Sequence, residues 1–389
     1  MKLDYYQPTE IRFGRGRLEE FGAATAAFGK RALIVTVPVF KELEAPLKRA
    51  RESLERAGVQ VSHYAGVVPN PTTESVDAGA EMAKTNKVDV VIGFGGGSSM
   101  DTAKAIAVGA THPGRAWDYL FFKKQPGPQT LPIIAVTTTS GTGSHVTQVS
   151  VMTESASHTK SAIYHSRVFP RVAIVDPDLM MSVPRHITAC TGFDVLAHAF
   201  ESFIHVGGNS YADILAIEAI GLVRSYLPAV VKSGRSLEAR EKMAWADTLG
   251  GLCIATAGVT LPHGIGMTIG GFAPHVTHGQ ALAVVYPEFM RFTWSSAIPK
   301  FARLGRILDP SLQTNGDAEA AEKSCAAMDG FLKEIGMWIS FESLKVDRSL
   351  LPAIADNSLV LPDYKNNPRI ADRHEIFAML EASYTRQGG

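Results

Sequence analysis

The sequence predicts a two-domain chain, an α/β domain over residues 1–184 followed by an all-helical domain over residues 185–389. Three observations carry this. The 389 residues exceed what one hydrophobic core usually organises. Short apolar runs alternate with helical patterns as far as about Pro184. Beyond it the strand signals stop, and apolar residues recur at three- and four-residue spacing.

The elements follow in order. "ALIVTV" (32–37) reads as a buried strand, "KELEAPLKRARESLERAG" (41–58) as a helix closed by Gly58, and "VQVSHY" (59–64) as the next strand, together a βαβ unit. After the loop "GVVPNPTTES" a helix is expected near 73–86. The unbroken apolar run "VDVVIGF" (88–94) then has the character of a strand covered on both faces in a parallel sheet. "PIIAVTTT" (132–139) and "RVAIVDP" (171–177) extend the sheet, with residues 145–170 expected as loop. In the second half, "HITACTGFDVLAHAFESFIH", "SYADILAIEAIGLVRSYLPAVV" and "EAREKMAWADTLGGLCIATAG" carry helical periodicity. No repeat or low-complexity linker interrupts the chain.

Composition narrows the function classes. Lys plus Arg (38) equals Asp plus Glu (38) and no basic run stands out, which argues against nucleic acid as a partner. No stretch approaches the ~20 unbroken apolar residues of a membrane span. Cys190, Cys253 and Cys325 are too scattered for a disulfide framework, and the N-terminus lacks the apolar core of a secretion signal, so a cytoplasmic location is expected.

"GFGGGSSMDTAKAI" (93–106) lies where a buried strand gives way to a helix. Gly95, Gly96 and Gly97 permit a sharp turn and close approach to a ligand, and the helix N-terminus beyond offers free N–H groups to a phosphate. A second small-residue loop, "TTTSGTGSH" (137–145), follows the next strand, and Thr137, Thr138, Ser140 and Thr142 are candidates to line the rest of a dinucleotide. Together the loops make the first domain Rossmann-like and dinucleotide-binding, although G-x-G-x-x-G is absent.

In "GFDVLAHAFESF" (192–203), Asp194 and His198 lie one helical turn apart on one face. Alone they need mean no more than a buried hydrogen bond. "LPHGIGMTIGGFAPHVTHGQALAV" (261–284) adds His263 and His278, each followed by glycine at a helix start. Three imidazoles and one carboxylate describe a catalytic divalent-metal site suited to Fe(II) or Zn(II), with Mn, Co and Ni accommodated.

These stretches, with "FGRG", "GVVPNPT" (66–72), "DPDL" (176–179) and "NNPR" (366–369), resemble the iron-containing (group III) alcohol dehydrogenase family through nearly the whole chain. The resemblance implies a cleft between the two domains that holds NAD or NADP and one divalent metal, iron first. Its metal ligands fall on Asp194, His198, His263 and His278, its diphosphate contacts on Gly96, Gly97 and Ser98, and its cofactor-site positions on Asp101, Thr137, Thr138 and Lys160, with Asn70 of "GVVPNPT" counted among them. Three departures stand out. Met267 occupies the position of a histidine thought to help move protons, for which His275 is the candidate substitute. His145 replaces the acid of the GTGSE pattern, an expected change of charge near the nicotinamide. Val37 stands where NAD-preferring members often place an aspartate, which removes a barrier to NADP; Lys41 lies nearby.

The implied activity is alcohol oxidation or carbonyl reduction, the metal polarising the substrate oxygen and nicotinamide C4 taking or giving hydride. The partner is then a small alcohol or aldehyde, and a homodimer or larger homo-oligomer is expected, with the "YYQPTEIRFG" edge as a candidate contact. Two alternatives remain. A dehydroquinate synthase-like lyase normally adds lysines around the metal, and residues 260–285 contain none. A non-catalytic binding protein of the same fold would have little use for four intact ligands.

Overall fold

The computed structural model describes residues 5–120 and 123–386. The chain divides into two compact units, one of residues 6–183 and one that begins at Pro184 and also takes Tyr5.

The first unit is built on β1 (Glu10–Phe13), α1 (Phe21–Ala26), β2 (Arg31–Val35), α2 (Lys41–Arg56), β3 (Gln60–Tyr64), α3 (Thr73–Thr85), β4 (Val90–Gly95), α4 (Gly97–Gly109), β5 (Ile133–Thr137), β6 (Val149–Glu154), β7 (Thr159–Tyr164) and β8 (Val172–Val175). Six strands form one parallel sheet in the order β1-β8-β5-β4-β2-β3, with Ile34 beside Ile92 and Ile92 beside Ile134. Every residue of β4, β5 and β8 is buried, as the unbroken apolar runs require of strands covered on both faces. β3 lies on one side of β2 and β4 on the other, so the strand order reverses there, and the carboxyl ends of β2 and β4 flank the crevice where such sheets bind ligands.

Two features depart from the expectation. Glu10–Phe13 adds an edge strand paired to β8. The segment expected as loop folds in part as the antiparallel hairpin β6–β7. Its strands mix Ser, Thr and Lys with Val, Met and Ile, and most of their residues are only partly buried, so the pattern is weak beside the apolar strands.

The second unit is helical: α5 (Arg185–Ile204), α6 (Ser210–Lys232), α7 (Leu237–Thr256), α8 (Leu261–Phe272), α9 (His278–Thr293), α10 (Ile298–Leu308), α11 (Asp317–Glu334), α12 (Leu351–Asn357) and α13 (Arg373–Ala382). α5 packs against α6, α7 and α9, and every residue from Gly192 to Ile204 is buried. A helix covered all round belongs to a core, and its polar residues stand out for that reason. Among the described residues α6 is the one single helix long and apolar enough to cross a bilayer, and α7 with α8 passes the same test as a pair bent by 102°; α6 packs on α5 and α7 and carries Asp213, Glu218 and Arg224.

Candidate functional site

Four donor groups meet inside the helical unit. α5 contributes Asp194 and His198, the first turn of α8 contributes His263, and α9 begins at His278, whose helix start is fixed by a capping box between Thr277 and Gln280. The Nε2 atoms of His198, His263 and His278 lie 3.6, 3.5 and 3.7 Å from the same oxygen, Asp194 Oδ1. The His198 and His263 rings stack at 4.6 Å, and those of His263 and His278 lie 5.2 Å apart. Asp194 Oδ1 and His263 Nε2 are buried and make no hydrogen bond.

The distances say what the set is for. Ordinary hydrogen bonds run near 2.9 Å, and three imidazoles cannot all donate to one oxygen lone-pair region. Ligands about 2.1 Å from a tetrahedral ion stand about 3.4 Å from one another. The observed separations match that edge, and the orphaned oxygen and nitrogen are the atoms a cation would satisfy.

Glu201, one turn beyond His198 and fully buried, extends the centre. Its Oε1 lies 2.8 Å from His263 Nδ1, while Oε2 accepts from the Thr260 amide at 2.9 Å and the Thr260 hydroxyl at 3.3 Å. A carboxylate on Nδ1 keeps the proton there and turns the Nε2 lone pair toward Asp194. Burial alone would lower the His263 imidazole, but Glu201 and Asp194 outweigh it and push it up to about 10. Burial alone would raise the Asp194 carboxyl, but the charges of His198, His278 and His263 hold it well below the usual carboxylate range. Metal ligation needs all three imidazoles neutral; in that state the two carboxylates carry a net charge of about −2, which a divalent cation balances in place of the His263 proton.

In the α/β unit, the glycine loop leaves β4 at the switch in strand order. Gly95 has φ +151°, which favours glycine. A Cβ on Gly96 would lie 3.0 Å from Thr139 Oγ1, and one on Gly97 would lie 2.5 Å from Thr142 Cγ2, so the two loops close on each other only because these residues are bare. α4 has no side-chain cap, and the first-turn amides of Gly97 and Ser98 lack intrahelical acceptors, a fit for a diphosphate. Ser98, Thr138, Ser140 and Thr142 remain partly exposed beside this turn.

Other expected cofactor residues are hydrogen-bonded within the α/β unit. Thr137 is fully buried and donates to the Thr139 carbonyl at 2.8 Å, so its hydroxyl holds the loop instead of lining a ligand. Asp101 accepts from Ser144 Oγ at 2.6 Å and the Val151 amide at 3.1 Å, tying α4 to the approach to β6. Lys104, which the sequence did not single out, is fully buried, its ammonium shared among the carbonyls of Ser144 (2.7 Å), Thr147 (3.0 Å) and Val149 (2.7 Å) and the hydroxyls of Ser144 and Thr147. Lys160 on β7 donates to Asn70 Oδ1 at 2.8 Å, and Asn70 itself adopts a left-handed φ of 52°.

Residues 8–177 match the family model of iron-containing alcohol dehydrogenases, and residues 188–384 match the C-terminal model of the same family. The chain belongs to the iron-containing alcohol dehydrogenase family. It is 32% identical over 379 residues to an NAD-dependent methanol dehydrogenase of Bacillus methanolicus, covering 97% of this chain and 99% of that one. An archaeal halo-thermophilic alcohol dehydrogenase from a Red Sea brine pool superposes with a TM-score of 0.93 at 34% identity, over 98% of this chain and 100% of that one. A sulfoacetaldehyde reductase from Bifidobacterium kashiwanohense, solved in complex with NAD+, superposes with a TM-score of 0.83 at 32% identity, over 98% of each chain.

Against the family pattern, the structure corrects two expectations. His275 is exposed and its Nε2 lies 3.0 Å from the Leu344 carbonyl, so it is engaged at the surface and not with the donor set. Its nearness to His278 in sequence misleads because the turn before α9 faces it outward. His145 is fully buried; burial, and then the Lys104 charge, push its imidazole down to about 3, so it adds no positive charge. Val37 packs half-buried against the apolar layers on the sheet, and no carboxylate takes its place after β2.

Proposed function

We propose that this chain interconverts a small alcohol with its aldehyde or ketone, using NAD and one divalent metal. The observation that carries the reading is the set of buried Asp194, His198 and His263 with partly exposed His278, spaced as ligands of one ion. When bound, the metal supplies Lewis acidity toward the substrate oxygen, and the dinucleotide supplies the hydride acceptor or donor. The residues provide the rest. Glu201 fixes the His263 tautomer, the packed core of α5 excludes water, and the first-turn amides of α4 hold the diphosphate.

Fe(II) is the favoured metal, with Zn(II) equally suited to the donor types. NADP is not barred, because Val37 leaves no carboxylate to repel a 2′-phosphate. Met267 carries no titratable group, so the proton leaves by another route than a histidine at that position. We place the enzyme in a reducing cytoplasm, which suits its buried free cysteines, and take it to self-associate along the β1 edge.

The test is a panel of alcohols and aldehydes followed at the nicotinamide absorbance, with NAD and with NADP, on protein loaded with Fe(II) or Zn(II). Oxidation of short alcohols, abolished by chelation and by His263→Ala, is expected. Full turnover after complete metal removal would refute the proposal.

A further inference from the structure

One carboxylate beside the donor set has no side-chain partner and is bonded only to its own backbone amide. Asp363 sits at the second position of the 3-10 turn Pro362–Asn366, which packs on α8. Its Cβ and Oδ2 would lie 3.6 and 3.8 Å from a Cβ built on Gly264, the residue after His263. The charged groups that act on it are His263 and Glu201. Among the described residues its carboxylate joins no ion pair and no hydrogen bond to another side chain. Lys365, two residues on, lies over the Tyr364 ring instead. Asp194, His263 and Glu201 are buried, whereas Asp363 is partly exposed and His278 keeps 26% of its side-chain surface, so these two are reached by solvent where the others are not.

We propose that Asp363 is a specificity-determining residue that selects alcohols bearing a second donor group, a hydroxyl or above all an ammonium, a few carbons from the reacting oxygen. This rests on the alcohol-oxidising reading above. A half-buried anion without a side-chain partner is costly against an apolar tail and repels an anionic one, while a donor group reaching it forms a charge-assisted hydrogen bond. Burial pushes the Asp363 carboxyl up to about 6, Glu201 adding to it and His263 opposing, so it is charged at neutral and alkaline pH. An aspartate at the start of a turn also serves backbone amides, and asparagine serves them equally, so Asp363→Asn removes the charge and keeps the turn.

The experiment compares wild type, Asp363→Asn and Asp363→Leu as metal-loaded full chains on 1-propanol, 1,3-propanediol, 3-amino-1-propanol and 3-hydroxypropanoate. In wild type, kcat/KM for the amino alcohol and the diol should exceed that for 1-propanol by roughly tenfold or more, with the anionic alcohol poorest. Asp363→Asn should lose the ammonium preference by about tenfold and keep part of the diol preference, and Asp363→Leu should favour 1-propanol. Independently of turnover, 3-amino-1-propanol should raise the Tm of wild type and not of Asp363→Asn. Equal selectivity in all three proteins would overturn the inference alone and leave Asp363 a turn residue. Failure of wild type to oxidise any of these alcohols would sink the alcohol-oxidising reading and the inference with it.

Discussion

Gly279 follows His278 on α9, and its lack of a side chain sets how closely α9 crosses α5. A Cβ there would stand 2.6 Å from the carbonyl carbon of Cys190 and 2.8 Å from its Cα, and nearer still to its carbonyl oxygen. These are backbone atoms inside a buried helix and cannot rotate away. Carbon atoms rest at about 3.5 Å or more, so Gly279→Ala must part the helices by about 1 Å. Cys190 is one turn before Asp194, so the gap opens where His278 Nε2 now lies 3.7 Å from Asp194 Oδ1. Near 4.7 Å the pair exceeds the edge of about 3.4 Å that a tetrahedral ion needs. Metal affinity should fall by about 10- to 100-fold or more, and overpacking should cost about 1–3 kcal/mol. Gly264→Ala is the control: its Cβ meets nothing closer than 3.6 Å, and alanine is the better helix former, so fold stability should hold or rise. Titration of the folded metal-free proteins with Co(II), read by its visible spectrum, decides. Wild-type affinity in Gly279→Ala would show that the close crossing does not position His278.

Three further outcomes follow from the geometry. Glu201→Gln removes the charge behind His263 Nδ1, and metal affinity by the same titration should drop about 10- to 100-fold with the helical fold retained by circular dichroism. Lys104→Met strands the carbonyls of Ser144, Thr147 and Val149, and should cost about 3 kcal/mol or more, read as a lowered Tm. His145 gives a pH dependence: its folded value of about 3 lies below the unfolded one, so the unfolded chain takes up a proton that the folded chain refuses as pH falls below about 6.5. Stability is therefore present above that pH and lost toward pH 3, about 2 kcal/mol by pH 5, and urea melts of His145→Asn should show a shallower acid limb.

The parts legible in the sequence were those with a strong local period. β4 and all but the last residue of β5 are Gly or apolar because both faces are covered, and Asp194 with His198 announces itself by one-turn spacing in a mainly apolar stretch of α5. Glu201 stood in the same stretch, seven residues after Asp194. An acid near a helix end is ordinary, however, and only contact with His263, 62 residues away, gives it meaning. Asp363 had no signal at all, since a short turn has no period and its neighbour Gly264 is distant in sequence. His275 shows the converse, adjacency along the chain without convergence in space.

The same buried acids that make the centre also decide how long a metal-starved chain survives. Without the ion, the buried Asp194 and Glu201 of α5 are left to the His263 imidazole, which touches both, as their counter-charge. Metal affinity is then folding free energy, gained by mass action and forfeited when the ion is scarce. Metal loading should therefore govern how long a copy stays folded as well as whether it turns over, and metal-free protein should be cut faster by an added protease than metal-loaded protein.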